Sequence, residues 1–335
     1  MSLPPPPPLA VRLEAARRLG CEATSLDPDS GFLWSIHRGH SECLLLGGLS
    51  PLNTTLTARL AQDKSHTLLL ARRAGFRTPE SVRCLRPGTF TDARYPALIG
   101  TEPGLRFAET HGWPVVVKPN AGARGRDIAL VHDADALTQA IEQIWQRDYL
   151  ALVQTPAPGV DLRIDILDDK LLFAYRRRPV ILHGNGTSTV RELLASADRR
   201  FADHERLMEL TDDPLWIASG IALDQVLSTD REVDLSGVIL NLNRLCIGER
   251  LLEVPARWIE HTKRVATVLG PGLRHYGIDW RIDSDDPEHA DPERAVLLEI
   301  NASPSLAHMA TTEHREDAIA AEMRVVEALL DAQRG

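Results

Sequence analysis

The sequence predicts an α+β fold built in more than one lobe. Paired strand segments alternate irregularly with single helices, not as repeated βα units, which disfavours one doubly wound sheet. No repeat recurs at a fixed period. The 335 residues also exceed one ordinary core at roughly 100–200 residues per domain.

Taken in chain order, Pro4 to Pro8 read as a short, solvated and poorly ordered polyproline arm. Residues 9–19 read as a helix, with Leu9, Leu13, Ala16 and Leu19 on one face and Gly20 as its stop. Residues 63–74 form a second helix, capped by Asp63 and ended by Gly75, and Pro79 forbids its continuation. Residues 114–119 are a β-branched run between prolines and read as a buried strand. Residues 135–147 are helical and 149–154 form another apolar strand. Residues 162–167 and 170–175 read as a hairpin turning on Asp168 and Asp169. Residues 189–209 read as a charged helix, and 233–254 carry strand-like alternation. Residues 258–269 form a helix. Residues 277–283 and 295–300 are two strands joined by a polar turn.

Composition narrows the function. The chain has 38 Lys plus Arg against 47 Asp plus Glu, a net charge of −9, and 43% hydrophobic residues. This excludes wholesale disorder and gives no general attraction to nucleic acid or an anionic membrane. No apolar run approaches the roughly 20 residues that span a bilayer, and the N-terminus lacks a secretory pattern. The four cysteines, Cys21, Cys43, Cys84 and Cys246, form no CxxC pair and fit reduced thiols in a cytoplasmic protein.

Two clusters carry chemistry. Glu299 and Asn301 lie two apart on one strand and so share a face; if that strand pairs with the one holding Asp279, three oxygen ligands converge. Such a set suits a hard cation, Mg²⁺ with Mn²⁺ as a substitute, that completes its shell with phosphates and water. The competing reading is a surface hairpin with polar residues in solvent. Second, Lys118 ends a buried strand before Ala121-Gly122-Ala123-Arg124-Gly125-Arg126, where small residues admit a phosphate and arginines bind it. No Gly-Lys-Ser/Thr follows, so this is not a Walker loop. Gly184-Asn185-Gly186 lacks the third glycine of a dinucleotide fingerprint and reads better as a type I′ turn leading to an N-cap at Thr189.

In order, Asp63-Lys64 with Thr67 and Ala74-Gly75, the 114–119 strand with its glycine-arginine loop, Gln154 through Gly159-Val160-Asp161, and Glu299-Ile300-Asn301-Ala302 resemble the ATP-grasp superfamily. The segment from His183-Gly184-Asn185-Gly186 through Thr189-Val190-Arg191-Glu192-Leu193, with His204-Glu205 and Leu207 after it, is similar to the ATP-grasp module of cyanophycin synthetases and bifunctional glutathione synthetases. The resemblance runs from about residue 30 to 310. It implies two α+β lobes clasping ATP: a short N-terminal segment (1–60), a central lobe with a phosphate lid (61–155) and a C-terminal lobe with the metal and substrate site (156–335).

The resemblance also implies residue roles. Lys118, Lys64, Arg124 and Gly125 would bind ATP phosphates, Gln154 the adenine and Asp161 the ribose. Asp279, Glu299 and Asn301 would hold magnesium, and Arg163, Arg177 and Ser303 would face the acyl phosphate or substrate carboxylate. The implied activity is ATP-dependent ligation of an amino acid or short-peptide carboxylate to an amine, with a homo-oligomer left open. A kinase on the same fold and a non-catalytic nucleotide-binding subunit are the alternatives. The pattern departs from its relatives at two places: Leu68 stands where a second lysine is often found, and 241–248 (Asn-Leu-Asn-Arg-Leu-Cys-Ile-Gly) replaces an Asn-Leu-Ser-x-Gly-Gly segment.

Overall fold

The computed structural model describes residues 3–89, 94–122, 125–211, 214–235 and 246–333. Helix α1 (Pro7–Arg18) leads into β1 (Glu22–Ser25), β2 (Leu33–Arg38) and β3 (Ser41–Leu46). Then come α2 (Thr55–Gln62), α3 (Lys64–Arg73), β4 (Ser81–Leu85), α4 (Glu102–His111), β5 (Val115–Pro119), β6 (Ala129–Val131), α5 (Ala134–Trp145) and β7 (Leu150–Gln154). Strands β8 (Val160–Leu167) and β9 (Lys170–Pro179) make a hairpin. A small insert holds β10 (Ile181–His183), α6 (Val190–Ala197), α7 (His204–Thr211), α8 (Pro214–Ser219) and β11 (Glu232–Asp234). The chain ends with β12 (Cys246–Arg250), α9 (Ala256–Ala266), β13 (His275–Ile282), β14 (Val296–Asn301) and α10 (Arg315–Asp331).

Two sheets position the site. One has the order β4-β7-β5-β6 and the other β12-β9-β8-β13-β14, all neighbours antiparallel. Along β8 the residues alternate between the sheet's faces, and this alternation sorts the chemistry. Leu162, Ile164 and Ile166 join Ile278, Trp280 and Ile282 of β13 in a core with Trp258 and Val265 of α9 and Leu68 of α3. The intervening residues, Asp161, Arg163 and Asp165, face the other way with Asp279. A second core joins Leu9 and Leu13 of α1 to Ile319, Val326 and Leu330 of α10 and Phe173 of β9. The buried Arg12–Glu322 pair, at 3.0 Å, reinforces it.

Several expectations hold. Asp63 caps α3 by accepting the His66 N–H, and Gly75 follows its end with φ 88°. Asp168 and Asp169 take φ 47° and 63°, the two left-handed residues that a type I′ hairpin turn requires. Others need correction. The proline arm is docked: the Leu3 N–H donates to the Pro28 carbonyl at 3.0 Å, and α1 starts inside the run because proline's fixed φ suits a first helical turn. The 185–186 turn is not type I′, since only Gly186 has positive φ; instead Asn185 Oδ1 accepts the Thr187 and Ser188 N–H groups. Thr189 does cap α6, with Glu192 completing a capping box. The 189–209 helix is broken at Asp198 (φ −155°), whose side chain accepts the Arg200 N–H and opens a 3₁₀ turn over Arg199–Ala202. Of the 233–254 alternation, β11 and β12 hold its two ends, and 236–245 lie outside the described residues.

His275 opens β13 and is buried (1% exposed), with Nδ1 2.9 Å from Ser50 Oγ. Burial, with Arg12 and Arg163 nearby, pushes its pKa well below 6.5, so the folded chain keeps it neutral. The unfolded chain binds the proton below about pH 6.5. Stability from this group is therefore complete above that pH and falls by about 1.4 kcal/mol per unit as pH drops below it. Urea midpoints at pH 7.5 and 5.5 check this; equal midpoints would contradict it.

Candidate active site

The site lies where β5 of the four-stranded sheet meets the polar face of the five-stranded sheet. Antiparallel register sets its second half. Asp279 stands opposite Arg163 on one side and Glu299 on the other, while Gly277 faces Asp165 and Asn301. Asp161 pairs across β8–β9 with Arg177 and across β8–β13 with Arg281. The strands thus bring together charges far apart in sequence.

An alternating chain of ion pairs results. Arg163 Nε donates to Asp165 Oδ1 at 2.5 Å and Nη1 to Asp279 Oδ2 at 2.9 Å. Arg177 Nη2 donates to Asp279 Oδ1 at 2.8 Å and Nη1 to Asp161 Oδ1 at 3.2 Å, and Arg281 Nη2 lies 3.2 Å from Asp161 Oδ2. Burial opposes ionisation of Asp279, but Arg163 and Arg177 outweigh it and hold the carboxyl well below the usual range. Burial pushes Asp161 and Asp165 upward against their arginines. Both arginines stay charged, raised by their aspartates despite desolvation.

Asp279, Glu299 and Asn301 converge as their spacing suggests. Asn301 Nδ2 donates to Asp279 Oδ2 at 3.2 Å and to Glu299 Oε1 at 3.1 Å. The donor set fits a hard divalent cation: two carboxylates and an amide that offers oxygen after a half-turn. Among the described residues no three His, Cys, Asp or Glu gather into a cage. That suits a cation which takes its remaining ligands from phosphate and water.

Two lysines face this group. Lys64, at the first position of α3, reaches Glu299 Oε2 at 3.3 Å and donates to the Gly122 carbonyl at 3.1 Å. Lys118 is 7% exposed near the end of β5, with no ion pair or hydrogen bond to its ammonium among the described residues. Burial, together with Lys64, pushes its pKa down to about 8 against the pull of Glu299 and Asp279. A buried ammonium without a partner is costly. Gln154 Nε2 at the end of β7 and Arg177 Nε are also buried, without a hydrogen-bond partner among the described residues.

The remaining sequence candidates are placed as follows. Ser303 Oγ accepts the Ser50 N–H at 3.1 Å, tying the N-terminal segment to the end of β14. Gly125 has φ 67°, while Ala123 and Arg124 lie outside the described residues. Asp161 is 3% exposed, its oxygens directed at Arg177 and Arg281. Leu68 is in the core (2% exposed), so its position on α3 faces away from the charged cluster.

Sequence reasoning missed the supports. Asn120 Oδ1 accepts the Ser65 N–H at 2.9 Å and Asp148 Oδ2 the Ala121 N–H at 3.1 Å, fixing the chain on leaving β5. Asn53 accepts the Arg274 and His275 N–H groups at 2.8 and 2.9 Å and donates to the Ala302 carbonyl at 2.5 Å, clamping β13 to the exit of β14. Asp165 and Arg281 complete the ion chain. A polar residue at every second position of β8 was the visible signal for Asp165.

The fold is similar to that of solved ATP-grasp ligases. A solved bifunctional glutathione synthetase from Pasteurella multocida superposes with a TM-score of 0.59 at 18% identity, over 97% of this chain and 44% of that one. In sequence, the glutathione biosynthesis bifunctional protein of Streptococcus mutans is 24% identical over 295 residues, covering 84% of this chain and 37% of the relative. Cyanophycin synthetase of Synechocystis sp. is 27% identical over 270 residues, covering 76% of this chain and 29% of the relative. The chain therefore spans well under half the length of either relative. No protein-family model matches it. None of its described helices is long and apolar enough to cross a membrane.

Proposed function

We propose that the protein is an ADP-forming ligase that joins the carboxylate of an amino acid or short peptide to an amine in the cytoplasm. One observation carries the reading: two lysines, two carboxylates, an amide and two arginines from helix α3 and both sheets gather at one place, although they span residues 64 to 301. The N-terminal segment, central lobe and C-terminal lobe divide near residues 60 and 155.

Asp279, Glu299 and Asn301 would hold Mg²⁺, which supplies charge neutralisation for the transferring phosphoryl group. Lys118 and Lys64 bind the phosphate oxygens, and Arg124 and Gly125 close over them. Gln154 Nε2 is left to donate to the base. The substrate carboxylate attacks the γ-phosphorus, giving an acyl phosphate and ADP; the amine then attacks the acyl carbon and phosphate leaves. Arg177 stabilises the charge that develops on the transferred oxygens, with its unpaired Nε as the free donor. Ser303 keeps its hydroxyl proton to orient the carboxylate. Asp161 acts by holding Arg177 in place, in preference to the ribose role. No protein nucleophile is required.

Lys118 gives a pH signature. Phosphate raises its pKa from about 8, so binding favours the protonated form. Nucleotide affinity should be full below that pH and decline, by up to tenfold per unit, as pH rises through it. Calorimetry with ATP between pH 7 and 9.5 reads the decline, and Lys118→Arg should flatten it. A flat wild-type profile contradicts the phosphate role.

The ligase reading is tested with hydroxylamine as surrogate amine and pooled amino acids and dipeptides as carboxylates. An acyl phosphate yields a hydroxamate with ADP. A stable phosphoester with ADP and no hydroxamate would establish a kinase instead.

A further inference from the structure

The buried pair Arg163–Asp165 lies across a position where β13 has no side chain. A Cβ at Gly277 would collide with Asp165 Oδ1 and with Nη2 and Nε of Arg163. Gly277 is buried in the middle of its strand and its φ is not positive, so it is not there for a turn. Its contribution is space. Into that space Asp165, 1% exposed, draws the guanidinium of Arg163, 6% exposed, so that Nη1 meets Asp279.

Charge balance gives this arrangement a purpose. Asp279 receives two guanidinium groups, from Arg163 and Arg177. A carboxylate neutralised twice over is a poor ligand for a divalent cation. Along the chain, however, Asp165, Arg163, Asp279, Arg177, Asp161 and Arg281 alternate in sign, three of each. Asp165 and Asp161 each offset the arginine beside them, and Asp279 keeps its own charge. Arg163 has both Nε and Nη1 committed to buried aspartates, whereas Arg177 has Nε free.

We propose that Asp165 is a positioning residue which, through the space at Gly277, holds Arg163 against Asp279 and offsets its charge so that Asp279 retains affinity for a divalent cation. Arg163 is then a strut and Arg177 the arginine left for substrate. The inference rests on Asp279 being a metal ligand and goes beyond that reading.

The test measures Mn²⁺ binding by electron paramagnetic resonance with the full chain and ADP, alongside ADP binding in EDTA. Asp165→Asn preserves shape and removes one charge. Its Mn²⁺ dissociation constant should rise about tenfold while metal-free ADP affinity stays within about twofold. Arg163→Gln with Asp165→Asn removes both charges and should restore Mn²⁺ affinity to within about threefold of wild type. A purely structural role for Asp165 would lose ADP and Mn²⁺ together and would not be rescued by the second change. Unchanged Mn²⁺ affinity in folded Asp165→Asn overturns the proposal; if that variant does not fold, a tenfold loss in the double variant does so. Unchanged Mn²⁺ affinity in Asp279→Asn and Glu299→Gln refutes the underlying metal site instead.

Discussion

Glu299→Gln should lower ligation by roughly a thousandfold or more while the protein remains folded and still binds ATP without metal. Glu299 occupies a pivotal place: it is 28% exposed on its side chain, touches Lys64 at 3.3 Å and accepts from Asn301 at 3.1 Å. Replacing one carboxylate oxygen by an amide keeps the volume and the Asn301 contact. What it removes is one of the two proposed anionic ligands and the counter-charge of Lys64. Since cation and phosphates act in the same step, the loss should fall on kcat and not on the apparent affinity for metal-free nucleotide. Steady-state ADP release with parallel calorimetry reads both quantities. Near-normal turnover would remove Glu299 from the site.

Gly277→Ala should destabilise the C-terminal lobe by about 3 kcal/mol or more, because parting a buried ion pair leaves a charge uncompensated in the interior. The added methyl group has nowhere to go: the opposing atoms belong to Arg163 and Asp165, which bond each other, and Arg163 is also held across the sheet by Asp279. A change at Gly75 meets open space, though that glycine's φ of 88° carries its own strain. Gly277 is thus destabilising through crowding alone. Guanidinium denaturation monitored at Trp280, a core neighbour on the same strand, measures the difference. A loss below about 1 kcal/mol would show that the ion chain shifts freely.

The legible parts of this protein were those whose signal is local. Asp63 ahead of an apolar helix reads as a cap, and Val115-Val116-Val117 between prolines reads as a strand. The Asp168-Asp169 turn between two alternating runs reads as a hairpin. Glu299 and Asn301 declare a common face by spacing alone, and the turn between β13 and β14 brings Asp279 beside them. Residues 1–60 were harder. Strands β1, β2 and β3 are only four to six residues long, and β3 buries Ser41, Cys43 and Leu45 while exposing Glu42, Leu44 and Leu46. Two of its three leucines are exposed beside a buried serine, so hydrophobicity alone does not tell its two faces apart. Helix α10 carries apolar residues at helical spacing, but its partner is α1, more than 300 residues away, and no local feature announces that packing.

The ion chain was invisible for a different reason. Arg163, Arg177 and Asp279 could each be singled out, yet their mutual contacts depend on register across three strands. Sequence spacing fixes which face a residue takes, not which residue it meets. The same limit hid the reason for Gly277, whose role is set by side chains on β8.

The central claim is that a carboxylate is activated by phosphorylation at this site. The most direct measurement supplies amino acids and dipeptides labelled with ¹⁸O in the carboxylate, and follows the label by mass spectrometry of the released phosphate. Transfer of one ¹⁸O to phosphate for each amide bond formed is the expected result, since the attacking oxygen leaves with the phosphoryl group. Amide formation or ADP release with no label in the phosphate would contradict it.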